Sequence, residues 1–281
     1  MSLTTMIKLN NGVEIPMLGF GTWQAKDGEE AYNAIKTAIE AGYRHIDTAA
    51  VYGNEESVGK AVKDSGISRD EIFITSKLWN ADRGYDETIA AFNETIKKLD
   101  TDYLDLYLIH WPNPAAFRDE WKKKNAESWK AMEDLYESGK IRAIGISNFK
   151  PRHMEALAET WKITPMVNQV RICPGEVPED VVEYCLKHNI LIEAYSPLGS
   201  GKVFELESMK SLADKYGKSI AQLCIRFSIQ KGFLPLPKSV TKERIIANAD
   251  VFDFEISKED MDIIETTQGC AQNRNPDETT F

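Results

Sequence analysis

Histidine and cysteine are both scarce in this 281-residue chain, four of each, and neither set is spaced for metal or disulfide chemistry. Cys173, Cys185, Cys224 and Cys270 lie far apart and form no C-x-x-C pair. That excludes a disulfide framework or a zinc site and leaves reduced, mostly buried thiols as the expectation. No metal is expected. No apolar run approaches the roughly 18 residues of a membrane span. The first residues lack the basic start and apolar stretch of a secretory signal, so a cytoplasmic protein with no membrane partner is expected. Positive charge is also in deficit: 34 Lys and Arg against 44 Asp and Glu give a net charge of −10. Such a surface repels polyanions, which argues against a nucleic-acid partner and requires a local basic patch for any anionic ligand. Gly19-Phe-Gly21 begins a G-x-G-x-x-G pattern but no third glycine follows, so the fingerprint of the open dinucleotide-binding sheet is missing. Nor does a Pro/Ser-rich linker, charge block or low-complexity segment divide the chain, and residues 1–281 are expected to form one domain.

What is present is an alternation of short apolar strands and amphipathic helices. Residues 5–16 read as a hairpin, with Ile7, Leu9, Val13 and Ile15 alternating around Asn11-Gly12, a dipeptide suited to a primed turn. Strands are expected at 17–21, 45–47, 72–77, 104–110, 141–147, 166–169, 191–195 and 233–236. Helices are expected at 29–41, 56–63, 86–99, 126–138 and 179–187. Eight strands with such short crossovers, in a chain of this length and 42% apolar residues, favour a closed (β/α)8 barrel over an open doubly wound sheet.

In that architecture the C-terminal ends of the strands surround the active site, so polar residues there read as chemistry. The second strand ends in Asp47, the third in Lys77 and the fourth in His110. The next three run into Ser147-Asn148, Asn168-Gln169 and Tyr195-Ser196. A charged side chain at the end of an apolar run such as Phe73-Ile-Thr75 is partly buried and needs a partner. Each residue alone has a plainer explanation as a cap, a solvated charge or a packed ring; it is their convergence on one rim that carries weight. After the eighth strand comes the basic segment Lys238-Ser-Val-Thr-Lys-Glu-Arg244. Thr241 is placed to cap the helix starting there, which would free backbone N–H groups for an anion.

From end to end the chain resembles the aldo-keto reductases, in particular the small bacterial-type reductases. The resemblance rests on Gly19-Phe-Gly-Thr-Trp23, Gly42-Tyr-Arg-His-Ile-Asp-Thr48, Tyr52-Gly-Asn-Glu55, Ser76-Lys-Leu-Trp79 and the run Asp102 to His110. It continues through Gly145-Ile-Ser-Asn-Phe149, Asn168-Gln169, Ala194-Tyr-Ser-Pro-Leu-Gly199 and Pro237-Lys-Ser239, in the family's order. It implies reduction of aldehydes and ketones by hydride transfer from NADPH, with Asp47, Tyr52, Lys77 and His110 as the catalytic set. Tyr52 would be the general acid, its pKa lowered by Lys77, which Asp47 holds in place; His110 would orient the substrate carbonyl.

For the cofactor the resemblance implies Gly21, Thr22, Asp47, Ser147, Asn148 and Gln169 near the nicotinamide and Tyr195 stacked on its ring. Ser196, Leu198 and Gly199 would meet the pyrophosphate. Lys238, Ser239, Val240, Thr241, Arg244 and Asn248 would hold the adenosine 2′-phosphate end. Two positions depart from the family's pattern: Ala247 stands where a Glu usually precedes Asn248, and Cys173 where many relatives carry His. Trp23, Trp79 and Trp111, each directly after a strand end, are expected to line the substrate pocket with His110. Residues 113–125 read as a long insertion able to cover it, while the short polar tail 269–281 is expected to close it only loosely and permit a broad substrate range. A small-molecule carbonyl is the expected partner and a monomer the expected state. Two rival readings remain: a nicotinamide-binding regulatory protein without turnover, and a Schiff-base aldolase using Lys77. Asp47, paired with that lysine, works against the neutral amine an aldolase needs.

Overall fold

Parallel strands cannot be joined by a tight turn, so each needs a crossover long enough to carry a helix. The computed structural model describes residues 1–272 and 274–281. The hairpin comes first, with β1 (Met6–Lys8) antiparallel to β2 (Glu14–Pro16). The strands that follow are β3 (Phe20–Gly21), β4 (His45–Asp47), β5 (Phe73–Leu78), β6 (Leu104–Ile109), β7 (Ile141–Ser147), β8 (Val167–Arg171), β9 (Leu191–Tyr195) and β10 (Leu234–Leu236). Neighbours pair in parallel in the order β10-β9-β8-β7-β6-β5-β4-β3. The two edges meet: Gly19 N donates to Pro235 O (3.1 Å) and Gly21 N to Pro237 O (3.0 Å). The sheet thus closes on itself as a (β/α)8 barrel.

The helices are α1 (Glu29–Glu40), α2 (Glu55–Asp64), α3 (Tyr85–Lys98), α4 (Trp121–Glu137), α5 (Pro151–Ala158), α6 (Glu179–Lys187), α7 (Glu207–Tyr216), α8 (Ile220–Gln230), α9 (Lys242–Ala249) and α10 (Lys258–Thr266). In α1, Ala31, Ala34, Ile35, Ala38 and Ile39 are buried, the three-and-four spacing of a stripe that packs on a barrel. Ser219 opens α8 with a capping box: its hydroxyl accepts from Gln222 N while the Gln222 side chain accepts from Ser219 N. Among the described residues no helix is long and apolar enough to cross a membrane.

Two expectations are corrected here. The hairpin does not use a primed two-residue turn. Gly12 N donates to Leu9 O, Leu9 N to Val13 O, and Gly12 alone takes a positive φ, +89°. This is a three-residue loop, Asn10 to Gly12, ending in a left-handed glycine, a geometry that needs only one positive φ where the primed turn needs two. Residues 113–125 are not a free loop either: a 3-10 turn spans Ala115–Glu120 and α4 already begins at Trp121. Asn125 is buried, and its amide donates to Pro112 O (2.9 Å), which ties the start of the helix to the strand-end segment before it.

Apolar side chains fill the space between strands and helices. A second cluster, under the loop after β9, gathers Cys173, Cys224 and Cys270 with Val203, Met209 and Phe227. All four cysteines are free and buried, and burial pushes the Cys173 thiol up to about 12.

Candidate active site

Because all eight strands run in parallel, their C-terminal ends share one mouth, and Asp47, Lys77, Ser147, Gln169 and Tyr195 all lie near it. Strand β4 pairs with β5, so Asp47 and Lys77 are neighbours across one ladder. Lys77, fully buried, donates from Nζ to Asp47 Oδ1 (2.7 Å), Asp47 Oδ2 (2.8 Å) and the Thr48 carbonyl (2.7 Å). Its fourth neighbour is the Tyr52 hydroxyl at 3.5 Å. Tyr52 ends a 3-10 turn (Ala50–Tyr52) between β4 and α2. Asn54 braces that loop: its amide donates to Thr22 O and Ala25 O, and its oxygen accepts from Thr48 Oγ1 (2.8 Å). The Tyr52 ring meets His110 edge to face, with ring centres 5.8 Å apart.

Burial sets the protonation states. It pushes Tyr52 well above the usual tyrosine range, and the Asp47 carboxylate adds to the rise. The expected lowering by Lys77 is therefore not what the structure gives. The ammonium favours the phenolate, but with Asp47 beside it this offsets only part of the cost of burying that charge, and desolvation decides. Tyr52 thus stays protonated at neutral pH. His110 is driven well below the usual histidine value by burial, then by Lys77 and Arg83. Its imidazole is neutral, and its Nδ1 is buried without a hydrogen-bond partner among the described residues.

At the opposite wall, Ser147 Oγ donates to Gln169 O (2.8 Å), Asn148 Nδ2 to His110 O (3.0 Å) and Tyr195 Oη to Asn148 Oδ1 (2.8 Å). Two residues at these strand ends, Asn148 and Ser196, hold left-handed backbone at φ 63° and 52°. A non-glycine residue there costs on the order of 1 kcal/mol, a strain that turns the chain sharply at the mouth. Thr22 is buried, its Oγ1 donating to Asp47 O (3.0 Å). Gly21 packs closely against the barrel seam: a Cβ there would stand 3.3 Å from Leu236 O, a tight contact. Leu198 is half-buried and Gly199 buried. Asn248 is buried on α9, while Val240, Thr241 and Arg244 are exposed and Lys238 and Ser239 half-exposed. Lys238 Nζ reaches a carbonyl, Gln24 O (3.1 Å), not a carboxylate. Thr241 stands at the start of α9 but its side chain caps nothing. Instead Ser239 Oγ accepts from Thr241 N (3.1 Å), so the expected threonine cap is absent and a serine turn stands two residues earlier.

This arrangement, a buried lysine–carboxylate pair under a protonated tyrosine and a neutral histidine, coincides with a sequence match. The Aldo/keto reductase family profile matches residues 17–268. The chain belongs to that family. It is similar to the glyoxal reductase of Bacillus subtilis, 47% identical over 281 residues, 100% of this chain and 99% of that one. It is 42% identical to the methylglyoxal reductase DkgA of Escherichia coli, covering 99% of each chain. Among solved structures, an aldo-keto reductase of Bombyx mori in complex with NADP superposes with a TM-score of 0.85 at 34% identity, covering 97% of this chain and 96% of that one.

In this aldo-keto reductase the mouth is also walled by rings. Trp79 meets His110 edge to face (5.2 Å), and Trp111 stacks beside it at 6.5 Å. Trp111 is buried and Trp79 half-buried. Trp23 is 43% exposed and stands apart from these ring contacts. Sequence reasoning missed Phe281, which stacks on Trp79 (5.8 Å) and meets Trp111 edge on (5.2 Å). The tail is therefore not a loose closure. Asp277 accepts from Asn113 Nδ2 (2.9 Å), lies 2.9 Å from His153 Nε2 and pairs with Arg152. Phe281 O accepts from Ala115 N (3.1 Å). Nothing in a polar tail signals such docking; only the lone aromatic at its end hints at it. An aromatic contact of this kind contributes about 0.5–1.5 kcal/mol. Phe281→Ala is expected to raise KM for an aromatic aldehyde by about 3- to 10-fold while leaving KM for a two- or three-carbon aldehyde nearly unchanged, as steady-state kinetics with both would show.

Proposed function

We propose that the protein reduces aldehydes and ketones to alcohols with NADPH, Tyr52 acting as general acid on a carbonyl held by His110. The observation that carries this reading is the fully buried Lys77, bound by both Asp47 oxygens and 3.5 Å from the Tyr52 hydroxyl. All three N–H bonds of the ammonium can be taken up by Asp47 and the Thr48 carbonyl. Its charge then stabilises the developing phenolate without competing for the tyrosine's proton. His110, neutral, has one N–H to give; with Nδ1 buried, a proton on Nε2 is the one available to a carbonyl oxygen at the mouth. Tyr52 delivers its proton to that oxygen as negative charge builds there, and the phenolate left behind is balanced by Lys77.

The residues at the mouth fit the cofactor. Ser147, Asn148 and Gln169 offer hydroxyl and amide groups to a carboxamide, Tyr195 offers a half-buried ring, and the turn from Ser196 to Gly199 offers backbone N–H groups to a pyrophosphate. Arg244 and Lys238 are cations at the same end of an acidic protein, suited to a phosphate monoester. When bound, NADPH supplies the hydride. The names of the similar proteins are those of reductases, which favours turnover over the cofactor-holding alternative. In the same reading, residues 1–281 act as one domain and as a monomer in the cytoplasm, on a small carbonyl compound and with no nucleic-acid partner. The net charge of −10 and four free thiols support that setting.

The test is steady-state oxidation of NADPH and NADH across a panel of aldehydes and ketones. Turnover with NADPH in preference to NADH is expected; cofactor binding without turnover on any member would overturn the assignment. Arg244→Ala removes a charge-assisted contact of about 1.5–3 kcal/mol. It is expected to raise KM for NADPH by roughly 10- to 100-fold with KM for NADH little changed.

A further inference from the structure

Strand β9 reads Leu-Ile-Glu-Ala-Tyr, and its central Glu193 is completely buried. Side chains alternate along a strand, so Glu193 shares the barrel interior with Tyr195, one step below the mouth. Gln169 on β8 donates from the same amide nitrogen to Glu193 Oε2 (2.8 Å) and to Asp47 Oδ2 (2.9 Å). Gln169 and Glu193 are register partners on the adjacent strands β8 and β9, whereas β8 and β4 are not neighbours in the sheet, so the bond to Asp47 crosses the barrel. A primary amide has two N–H bonds. With both given to carboxyl groups, the only side-chain polar atom Gln169 has left is Oε1.

We propose that Glu193 is a positioning residue: with Asp47 it engages both N–H bonds of Gln169, fixing the amide so that its oxygen is presented to the cofactor as an acceptor for the nicotinamide carboxamide NH2. The inference rests on the NADPH-dependent reading above and deepens it. Asp47 alone fixes one N–H and leaves the amide free to swing about that bond; the second carboxyl removes the swing.

The surroundings keep Glu193 an acceptor without adding a charge. The titratable groups facing it are Asp47 and His45 from β4 and Lys77 from β5; its register partner on β10 is the apolar Leu234. Two carboxyls and one lysine would leave a buried excess of negative charge. Burial, reinforced by Asp47, pushes Glu193 up to about 8, and burial pulls His45 down to about 3, so both are neutral near pH 7. His45 Nε2 lies 3.9 Å from Glu193 Oε1, too far for a hydrogen bond, and 2.9 Å from Thr75 Oγ1. The imidazole is admitted by Gly19: a Cβ there would stand 2.6 Å from His45 Nδ1. Glu193 Oε1 has no partner among the described residues, leaving Oε2 and its bond to Gln169 as the function of this group.

The test is NADP+ affinity, read by quenching of tryptophan fluorescence with no substrate present. Glu193→Met removes the acceptor at similar length and is expected to weaken binding about 5- to 10-fold, the worth of one hydrogen bond. Glu193→Gln, whose amide oxygen can take the place of Oε2, is expected to restore affinity to within about twofold. In a Gln169→Leu background, Glu193→Met should have no further effect. Equal affinity of Glu193→Met and the parent, or additive losses in the double variant, would overturn the proposal. A measurement on the unaltered protein keeps it testable if Glu193→Met does not fold. The 3-acetylpyridine analogue of NADP+ lacks the carboxamide NH2, so it is expected to bind about 5- to 10-fold more weakly than NADP+; equal binding of the two would sink the idea. If the parent protein fails to bind NADP+ at all, the functional reading itself falls, a result distinct from either of these.

Discussion

Replacing Tyr52 by Phe is expected to lower kcat for carbonyl reduction by roughly 100- to 10,000-fold and to leave the affinity for NADPH nearly unchanged. The change deletes one oxygen from a ring that otherwise keeps its edge-to-face contact with His110 at 5.8 Å. What is lost is the proton that would neutralise the developing alkoxide. Water is a poor substitute at a site whose lysine is fully buried and whose histidine is 8% exposed. Because burial already holds Tyr52 well above the ordinary tyrosine range, the phenol is a reluctant donor in the resting protein. It gives up its proton only as charge accumulates on the substrate oxygen, and the ammonium of Lys77 then gains a second anion to stabilise. Cofactor affinity and turnover measured on the same preparation separate the two effects. A Tyr52→Phe variant with the parent's kcat would remove tyrosine from the mechanism.

Asp47→Ala is expected to destabilise the fold by about 3–5 kcal/mol, measurable as a lower urea midpoint with an unchanged slope. The reason is the lysine, not the aspartate. Lys77 is completely buried and depends on two Asp47 oxygens at 2.7 and 2.8 Å. Without them an ammonium sits in the barrel with only the Thr48 carbonyl and the Tyr52 hydroxyl for company. Gln169 also loses one of its two carboxyl partners. If the stranded charge is the cause, removing it relieves the damage: the double variant Asp47→Ala, Lys77→Met should be more stable than Asp47→Ala alone. A double variant no more stable than the single one would mean that packing around Asp47, not charge, dominates. Both variants should lack activity, so this comparison is read by unfolding.

Much of the barrel is legible in the chain because its signals are local. The stretches 45–47, 141–147 and 191–195 coincide with β4, β7 and β9 residue for residue, and the other barrel strands differ at their ends by one to three residues. Those ends shift because inter-strand pairing decides them: Val170 and Arg171 join β8 by pairing with Ala194 and Tyr195, and nothing in β8 alone announces it. The primed turn at Asn11-Gly12 was a sound local preference, overridden when Asn10 entered the loop. Residues 113–125 read as an insertion because Asn113, Pro114 and a run of charges look like a surface loop. Their helical start is held by distant partners, Phe281, Asp277 and Thr279, which no window of sequence contains.

The sequence by itself determined the barrel, the rim and the polar groups on it, since strand periodicity and the direction of parallel strands follow from the chain alone. It was enough to single out Asp47, Lys77 and His110 as strand-end residues; Tyr52, in a loop, needed the family resemblance. Only the tertiary structure decided what those groups are chemically. Burial and a neutralising carboxylate hold Tyr52 protonated where a lysine neighbour suggested the opposite. Barrel closure puts Glu193 and His45 behind the rim, and the tail lays Phe281 across it. Protonation and cross-barrel contacts depend on how much water is excluded and on which distant strands face one another. Both are fixed when the sheet closes, and no stretch of the chain records them.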